Sequence, residues 1–172
     1  MLYSETDQVA EAREQLDILR VNDFGHPLNW TWTTHMVALS EAVCDLQDRS
    51  AAAVLYERLR PLAAQAGALA VMMSCSVPYA FSCGTLAACL GRWDDAERHF
   101  ADALAMNERL GARPYVVRTR RAWAAMLLDR NGPSRRGDRD HAAALITAGL
   151  AEAETLGMAR EIVRLQRLRE RL

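Results

Sequence analysis

The sequence predicts an all-α protein, a solenoid of antiparallel helix pairs with about eight helices. Three observations lead there. Apolar residues recur every three or four positions in successive stretches, the spacing that lines one face of a helix. No stretch sustains the period-two alternation of a strand, so no sheet is expected. Finally, LAACLGRWDDAERHFADALAMNERLG, residues 86–111, reads as the end of one helix, a tight turn and a full second helix. Degraded copies of it lie on both sides.

Ser4 suits the N-cap of a first helix over 5–20, where Val9, Ala12, Leu16 and Leu19 share a face. Gly25 and Pro27 break the chain after it. A second helix over 30–47 carries the stripe Trp32, Met36, Leu39, Val43 and Leu46. After a turn at 48–50, the third presents Ala52, Leu55, Tyr56, Leu59, Leu62 and Ala66, and Gly67 closes it. Pro61 lies inside that pattern and predicts a kink. Residues 68–76 form an apolar, partly buried connector, and Ser76 suits the cap of a fourth helix with Pro78 in its first turn. That helix carries Val77, Phe81, Gly84 and Ala88.

The fifth helix begins after Gly91, presents Ala96, Phe100, Ala103, Leu104 and Leu110, and ends at Gly111. Asp94, Asp95 and Glu97 occupy its first turn, where the helix dipole favours negative charge. Pro114 starts the sixth, with Val116, Trp123, Met126 and Leu127 facing inward. The polar loop NGPSRRGDRD follows, with Asp138 or Asp140 capping the next helix. The seventh helix carries Ala142, Leu145, Ile146, Gly149, Ala153 and Leu156, and Gly157 follows. The eighth sets Ile162, Leu165, Leu168 and Leu172 on one side and Arg160, Arg164, Arg167 and Arg171 on the other.

Composition limits the function classes. A net charge of −1 gives no general attraction to nucleic acid or to an anionic membrane. The 21 basic residues are all arginine, which a GC-rich coding genome explains. Cys44, Cys75, Cys83 and Cys89 show no C-x2-C spacing and lie in apolar stretches. They read as small buried thiols in a reducing, cytoplasmic compartment. The N-terminus has no basic region followed by an apolar run, so no signal peptide is expected. The longest apolar run, near 68–73, is too short to span a membrane.

The third, fifth and seventh helices superpose in sequence. Ala52, Ala96 and Ala142 correspond, as do Tyr56, Phe100 and Ile146, and Gly67, Gly111 and Gly157. Helices two, four and six align more weakly, through Val43-Cys44, Ala87-Ala88 and Ala124-Ala125. A small residue at the Ala96 position lets the paired helix approach, and an aromatic one a turn later fills the gap toward the next repeat. The repeats cover about 29–67, 77–111 and 114–157 of a single domain over 1–172, between capping helices over 5–20 and 158–172.

Gly84, Ala88, Gly91, Trp93, Ala96, Phe100 and Ala103 resemble the small-and-aromatic signature of a tetratricopeptide repeat. The phrase LGRWDDAERHFADALAMNERLGARP resembles the C-terminal repeat region of large bacterial signalling proteins. These are ATP-binding LuxR-type transcription regulators and class III nucleotide cyclases that carry an ATPase and a repeat region. The resemblance runs from about NWTWTTHMVALSEA to the C-terminus. It implies a right-handed superhelix and a non-catalytic module that senses an effector or scaffolds a partner. The chain has no phosphate-binding G-x4-G-K-[ST] loop, no cyclase domain and no DNA-reading helix-turn-helix. A parent's ATPase, cyclase or DNA-binding activity therefore does not carry over.

In such a fold the first helix of each repeat lines a groove. By register, Phe81 and Thr85 on the fourth helix, and Tyr115, Arg118 and Arg121 on the sixth, face it. Trp30, at the start of the second helix, is a further partner-binding candidate beside its packing role. The expected occupant is a protein segment, an attached signalling domain or a small effector, and no cofactor, metal or membrane contact is expected. A helical domain with an enzymatic or small-molecule pocket in the groove is one alternative. Nucleic-acid contact through the arginine row of the last helix is another, weighed against a solvated capping face. The first helix, with no preceding partner helix, either packs as the second helix of a truncated repeat or offers its exposed side to a homodimer. Arg136-Gly137-Asp138 reads as solvated loop. His26, His35, His99 and His141 fall in separate segments and do not suggest a metal site. Asp94 and Asp95, adjacent on a helix, point apart and do not form a catalytic carboxylate pair.

Overall fold

The computed structural model describes residues 9–20, 24, 32–69, 74–130 and 136–172. Among these it is predominantly α-helical. The helices are α1 (Val9–Arg20), α2 (Trp32–Asp45), α3 (Arg49–Leu59), α4 (Tyr79–Cys89), α5 (Trp93–Arg109), α6 (Arg113–Asp129), α7 (Arg136–Thr155) and α8 (Ala159–Arg169). The chain divides into two compact units, Met1–Arg92 and Trp93–Leu172. No described helix is long and apolar enough to cross a membrane.

The same cap ends α2, α4, α5 and α7. After α5, Gly111 takes φ 63°, its N–H bonds the Glu108 carbonyl, and the Ala112 N–H reaches back to Asn107 at 2.9 Å. Gly91 (φ 75°) and Gly157 (φ 66°) repeat this pair of bonds. It is the Schellman arrangement, which satisfies the last helical carbonyls by placing one residue in the left-handed region. After α2 the left-handed residue is Gln47, with φ 55°, and Asp48 N–H reaches Val43 at 3.0 Å. A side chain in that region is strained by about 1–2 kcal/mol. Gln47 Nε2 donates to the Cys44 carbonyl at 2.9 Å, a partial offset.

In the unit Met1–Arg92, Met36, Leu39, Val43 and Leu46 bury the predicted stripe of α2, and Ala52, Leu55, Tyr56 and Leu59 that of α3. Asp48 caps α3: its Oδ1 accepts from Ala51 N–H at 3.0 Å and from Ser50 Oγ at 2.8 Å, and its other oxygen pairs with Arg20 of α1. Burial alone would raise its pKa. The Ala51 and Ser50 bonds and the Arg20 charge outweigh that and hold the carboxyl below its ordinary value.

The segment after α3 departs from expectation in four ways. Pro61 does not kink a long helix but ends it: α3 stops at Leu59 and Arg60–Leu62 form a 3-10 turn, because proline lacks the N–H the next α-turn needs. Residues expected to be helix and connector, with no sheet, pair as antiparallel strands β1 (Ala66–Leu69) and β2 (Ser74–Pro78). Gly67 sits at a register shift between Ala66 and Ala68 and closes no helix. Two strands are marginal alone, and these pack on α2 and α4. Ser76 lies in β2, and Pro78 is the N-cap of α4.

The unit Trp93–Leu172 runs up and down through α5 to α8. Ala96, Phe100 and Ala103 of α5, Val116, Trp123, Met126 and Leu127 of α6, and Ala142, Leu145, Ile146 and Ala153 of α7 are buried as the spacing predicts. Leu165 and Leu168 bury the apolar side of α8. Leu110 and Leu172 do not join this core: each lies beyond the last turn of its helix, and they are 53 % and 39 % exposed. Gly149 admits α8 closely, since a Cβ there would lie 3.3 Å from both Leu165 methyls. Arg130 closes α6 against the start of α5, donating to Asp94 at 2.9 Å and Glu97 at 3.1 Å. The polar loop is shorter than expected. α7 begins at Arg136, so Asp138 lies in its first turn and Asp140 further in, and neither caps it.

Two outcomes follow in urea denaturation. Gly111→Ala meets no atom but forces a side chain into the left-handed region, so it lowers stability by about 1 kcal/mol, whereas Gln47→Gly raises it by a smaller amount. Asp48→Ala costs about 1 kcal/mol at pH 7. The Asp48 pKa is depressed in the folded state, so its contribution is present above the unfolded value of about 3.9 and lost as pH falls through the lower folded value. The difference between wild type and Asp48→Ala therefore narrows in acid.

Candidate functional site

α6 carries most of the candidate residues. It packs against α5, α7 and α8. Val116, Val117, Thr119, Trp123, Ala124, Met126 and Leu127 are its buried residues. Tyr115, Arg118, Ala122 and Ala125 follow one another at helical spacing, and all are half-buried. The Arg118 guanidinium carbon lies 5.9 Å from the centre of the Tyr115 ring, within cation–π range. The pair is thus held in one shape on the helix surface, and the alanines beyond it leave the strip low. Such a strip can accept an extended segment: Tyr supplies a flat amphipathic face and Arg a fan of donors.

Arg121 has a different role from the one its register suggested. Its Nε donates to Glu161 Oε2 at 2.6 Å, and Arg164 Nη1 reaches the other carboxylate oxygen at 3.2 Å. The Glu161 side chain is only 9 % exposed, so Arg121 braces α6 to α8. Phe81 is also displaced from the candidate surface. It is a core residue of α4, 2 % exposed. Thr85 is half-buried, with Oγ1 donating to the Phe81 carbonyl at 3.0 Å. Trp30 lies outside the described residues. Of the six candidates, the structure brings together Tyr115 and Arg118.

A hollow of about 210 Å³ opens at the turn between α5 and α6, lined by Asn107, Glu108, Gly111, Arg113, Val116, Arg120 and Glu152. Its cations are engaged: Arg113 Nε pairs with Glu152 at 2.5 Å, and Arg120 Nη2 with Glu108 at 3.2 Å. The bond from Arg113 holds the Glu152 carboxyl below the ordinary value. Beneath, buried Asn107 Nδ2 donates to Thr119 Oγ1 at 3.2 Å. These partners come from three helices, and no spacing in one stretch could signal them.

The cysteines are not uniformly buried. Cys83 is, and burial pushes its thiol up to about 12. Cys44 near the end of α2 and Cys89 at the end of α4 are half-buried free thiols. Cys44 Sγ also lies 3.6 Å from the Thr85 carbonyl oxygen. The neighbouring Cys89 sulfur and burial drive the Cys44 pKa far up. The nearby Cys44 thiol pulls the Cys89 pKa below the ordinary thiol value, helped by Arg49 and opposed by burial and Asp48.

The arginine row of α8 is partly spent on the fold. Arg164 pairs with Glu161, and Arg171 reaches Asp129 at 2.5 Å. His141 packs edge-on against Trp123, with ring centres 4.9 Å apart. Asp94 bonds Arg130, while Asp95 pairs with Arg98. Among the described residues no three His, Cys, Asp or Glu side chains converge as metal ligands would.

Comparison of the chain with protein-family models, with curated proteins and with solved structures found no match.

Removing Arg121 leaves a nearly buried carboxylate with one remaining cation. Arg121→Met is expected to destabilise the protein by about 2 kcal/mol in urea titration. Replacing both partners, Arg121→Met with Glu161→Leu, recovers most of that loss, because no charge is then stranded.

Proposed function

We propose that the chain is a non-catalytic docking module of the tetratricopeptide-like type, which binds an extended protein segment along α6. The observation that carries this reading is the half-buried Tyr115–Arg118 stack on a helix that neighbours brace on its other sides. A rigid aromatic with an arginine beside it loses little side-chain freedom on binding, which is why such residues dominate interface energetics. Recurrence of the small-then-large pattern at Ala52 and Tyr56, Ala96 and Phe100, and Ala142 and Ile146 supports the repeat reading, since all six are core residues. In this proposal the module belongs to a bacterial regulator of the LuxR-type or nucleotide-cyclase kind, works in the cytoplasm, and passes docking on to an attached signalling domain.

A small effector seated in the hollow beside Gly111 is the second reading. It rests on the polar rim of Glu108, Arg113, Arg120 and Glu152. The pairing of Arg164 and Arg171 with carboxylates lends no support to nucleic-acid contact through α8.

Selection of binders from a random-peptide display library tests the docking role. Peptides retained by the wild-type chain should lose at least tenfold in affinity on the Tyr115→Ala, Arg118→Ala double variant, about 1.4 kcal/mol or more. Its melting temperature should stay close to wild type, because both side chains are half-exposed. Peptides that bind the variant equally well would remove this surface from consideration.

A further inference from the structure

The net charge of −1 is unevenly distributed. The unit Met1–Arg92 carries ten acidic residues against six arginines, and the unit Trp93–Leu172 twelve against fifteen. One unit is therefore acidic and the other basic. Each leaves a helix face of its own sign exposed. On α1, Leu16 is buried, and Glu11, Glu14 and Ile18 lie on the opposite side at helical spacing, exposed, with Asp17 beside them. On α8, Leu165 and Leu168 are buried, and Arg160, Val163 and Arg167 form an exposed row at the same spacing. Ile18 and Val163 are 59 % and 47 % exposed, among the few large apolar side chains that the described residues leave open to water. Neither Glu14 nor Arg167 has an ion-pair partner among the described residues.

We propose that these two faces form an interaction surface for a second copy of the chain, the acidic face of α1 in one copy packing antiparallel on the basic face of α8 in another. Spacing selects that direction. Glu14 precedes Ile18 by four residues and Val163 precedes Arg167 by four, about 6 Å along a helix in each case. With Ile18 seated on Val163, the antiparallel arrangement sets Glu14 beside Arg167. The parallel one would set Glu14 beside Ala159, which offers no charge. Beyond Arg167, Glu170 opposes the contact, while Arg169 and Arg171 favour it, the latter already engaged with Asp129. On α1 the opposing cation is Arg13, which is turned to the Leu46 carbonyl at 3.3 Å. The contact joins unlike faces, so every copy offers one of each and the association is heterologous. One apolar pair among opposite charges makes it weak and sensitive to salt. It is separate from the docking strip on α6.

The test is sedimentation velocity on the full chain over a range of concentrations. The average mass should rise above that of one chain at about 0.05 M salt and return to it at about 0.5 M, where screening acts within a few ångströms. Glu14→Arg and Arg167→Glu should each weaken self-association about tenfold or more, since like charges then meet. Circular dichroism should show the same helix content, because both positions are exposed. Mixing these two variants should restore association, each meeting the reversed charge of the other, and the double variant should associate by itself. Ile18→Ser should weaken the contact with every charge in place. The Tyr115→Ala, Arg118→Ala variant should associate as wild type does, and loss of association there would move the contact to α6 and overturn the proposal. A chain that stays monomeric at every concentration, association that ignores salt and both charge reversals, or a mixture of the two variants that remains monomeric would each overturn it as well.

Discussion

The helical order of this chain depends on one backbone constraint, a single left-handed residue directly after a helix. Gln47, Gly91, Gly111 and Gly157 hold it, each with the same two back-bonds to the preceding turn. The constraint is steric. A residue with positive φ cannot continue a right-handed helix, and it turns the last N–H groups back onto carbonyls that would otherwise be bare. Only one further residue separates each of these from the next helix. Where glycine is replaced by Gln47, the fold keeps the conformation and carries the strain, which shows how strongly the surrounding contacts demand it.

Given those turns, packing is decided by small residues. Ala52, Ala96 and Ala142 are fully buried, and so, one turn on, are Tyr56, Phe100 and Ile146, as close packing of paired helices requires. Gly149 extends the rule to α8, with Leu165 seated where a side chain would be. The surface ties then fix how ends meet. Arg130 clamps α6 onto the first turn of α5, and Arg121 with Arg164 encloses the Glu161 carboxylate between α6 and α8. A carboxylate so placed is held by two cations, which is the condition under which burying it is tolerated.

Legibility followed the range of the interaction involved. Helices α5 and α6 were readable nearly in full, because Gly91, Gly111 and Pro114 punctuate them and their buried residues keep a strict period. The hairpin Ala66–Leu69 with Ser74–Pro78 was not. Its strands are only four and five residues long and mix glycine and serine with apolar residues, so neither period stands out, and Gly67 matched the glycines that end α5 and α7 while serving as a bulge. For the candidate surface, spacing placed Tyr115 and Arg118 correctly on one strip of α6. It could not separate them from Arg121, whose role depends on a glutamate 40 residues away.

The sequence by itself determined that this is a chain of short amphipathic helices, where most of them stop, and which side of each is apolar. Those properties reside in neighbours within one or two turns, where spacing, glycine and proline act directly on the backbone. Tertiary structure decided everything that needs two distant segments to meet. It made Arg121 a brace and Phe81 a core residue, and it closed Arg113 onto Glu152. It also set the Cys44 thiol against the Thr85 carbonyl and Arg49 against the Cys89 carbonyl. The reason is that charge pairing acts over a few ångströms of space, and positions 40 residues apart reach that distance only once the helices have packed.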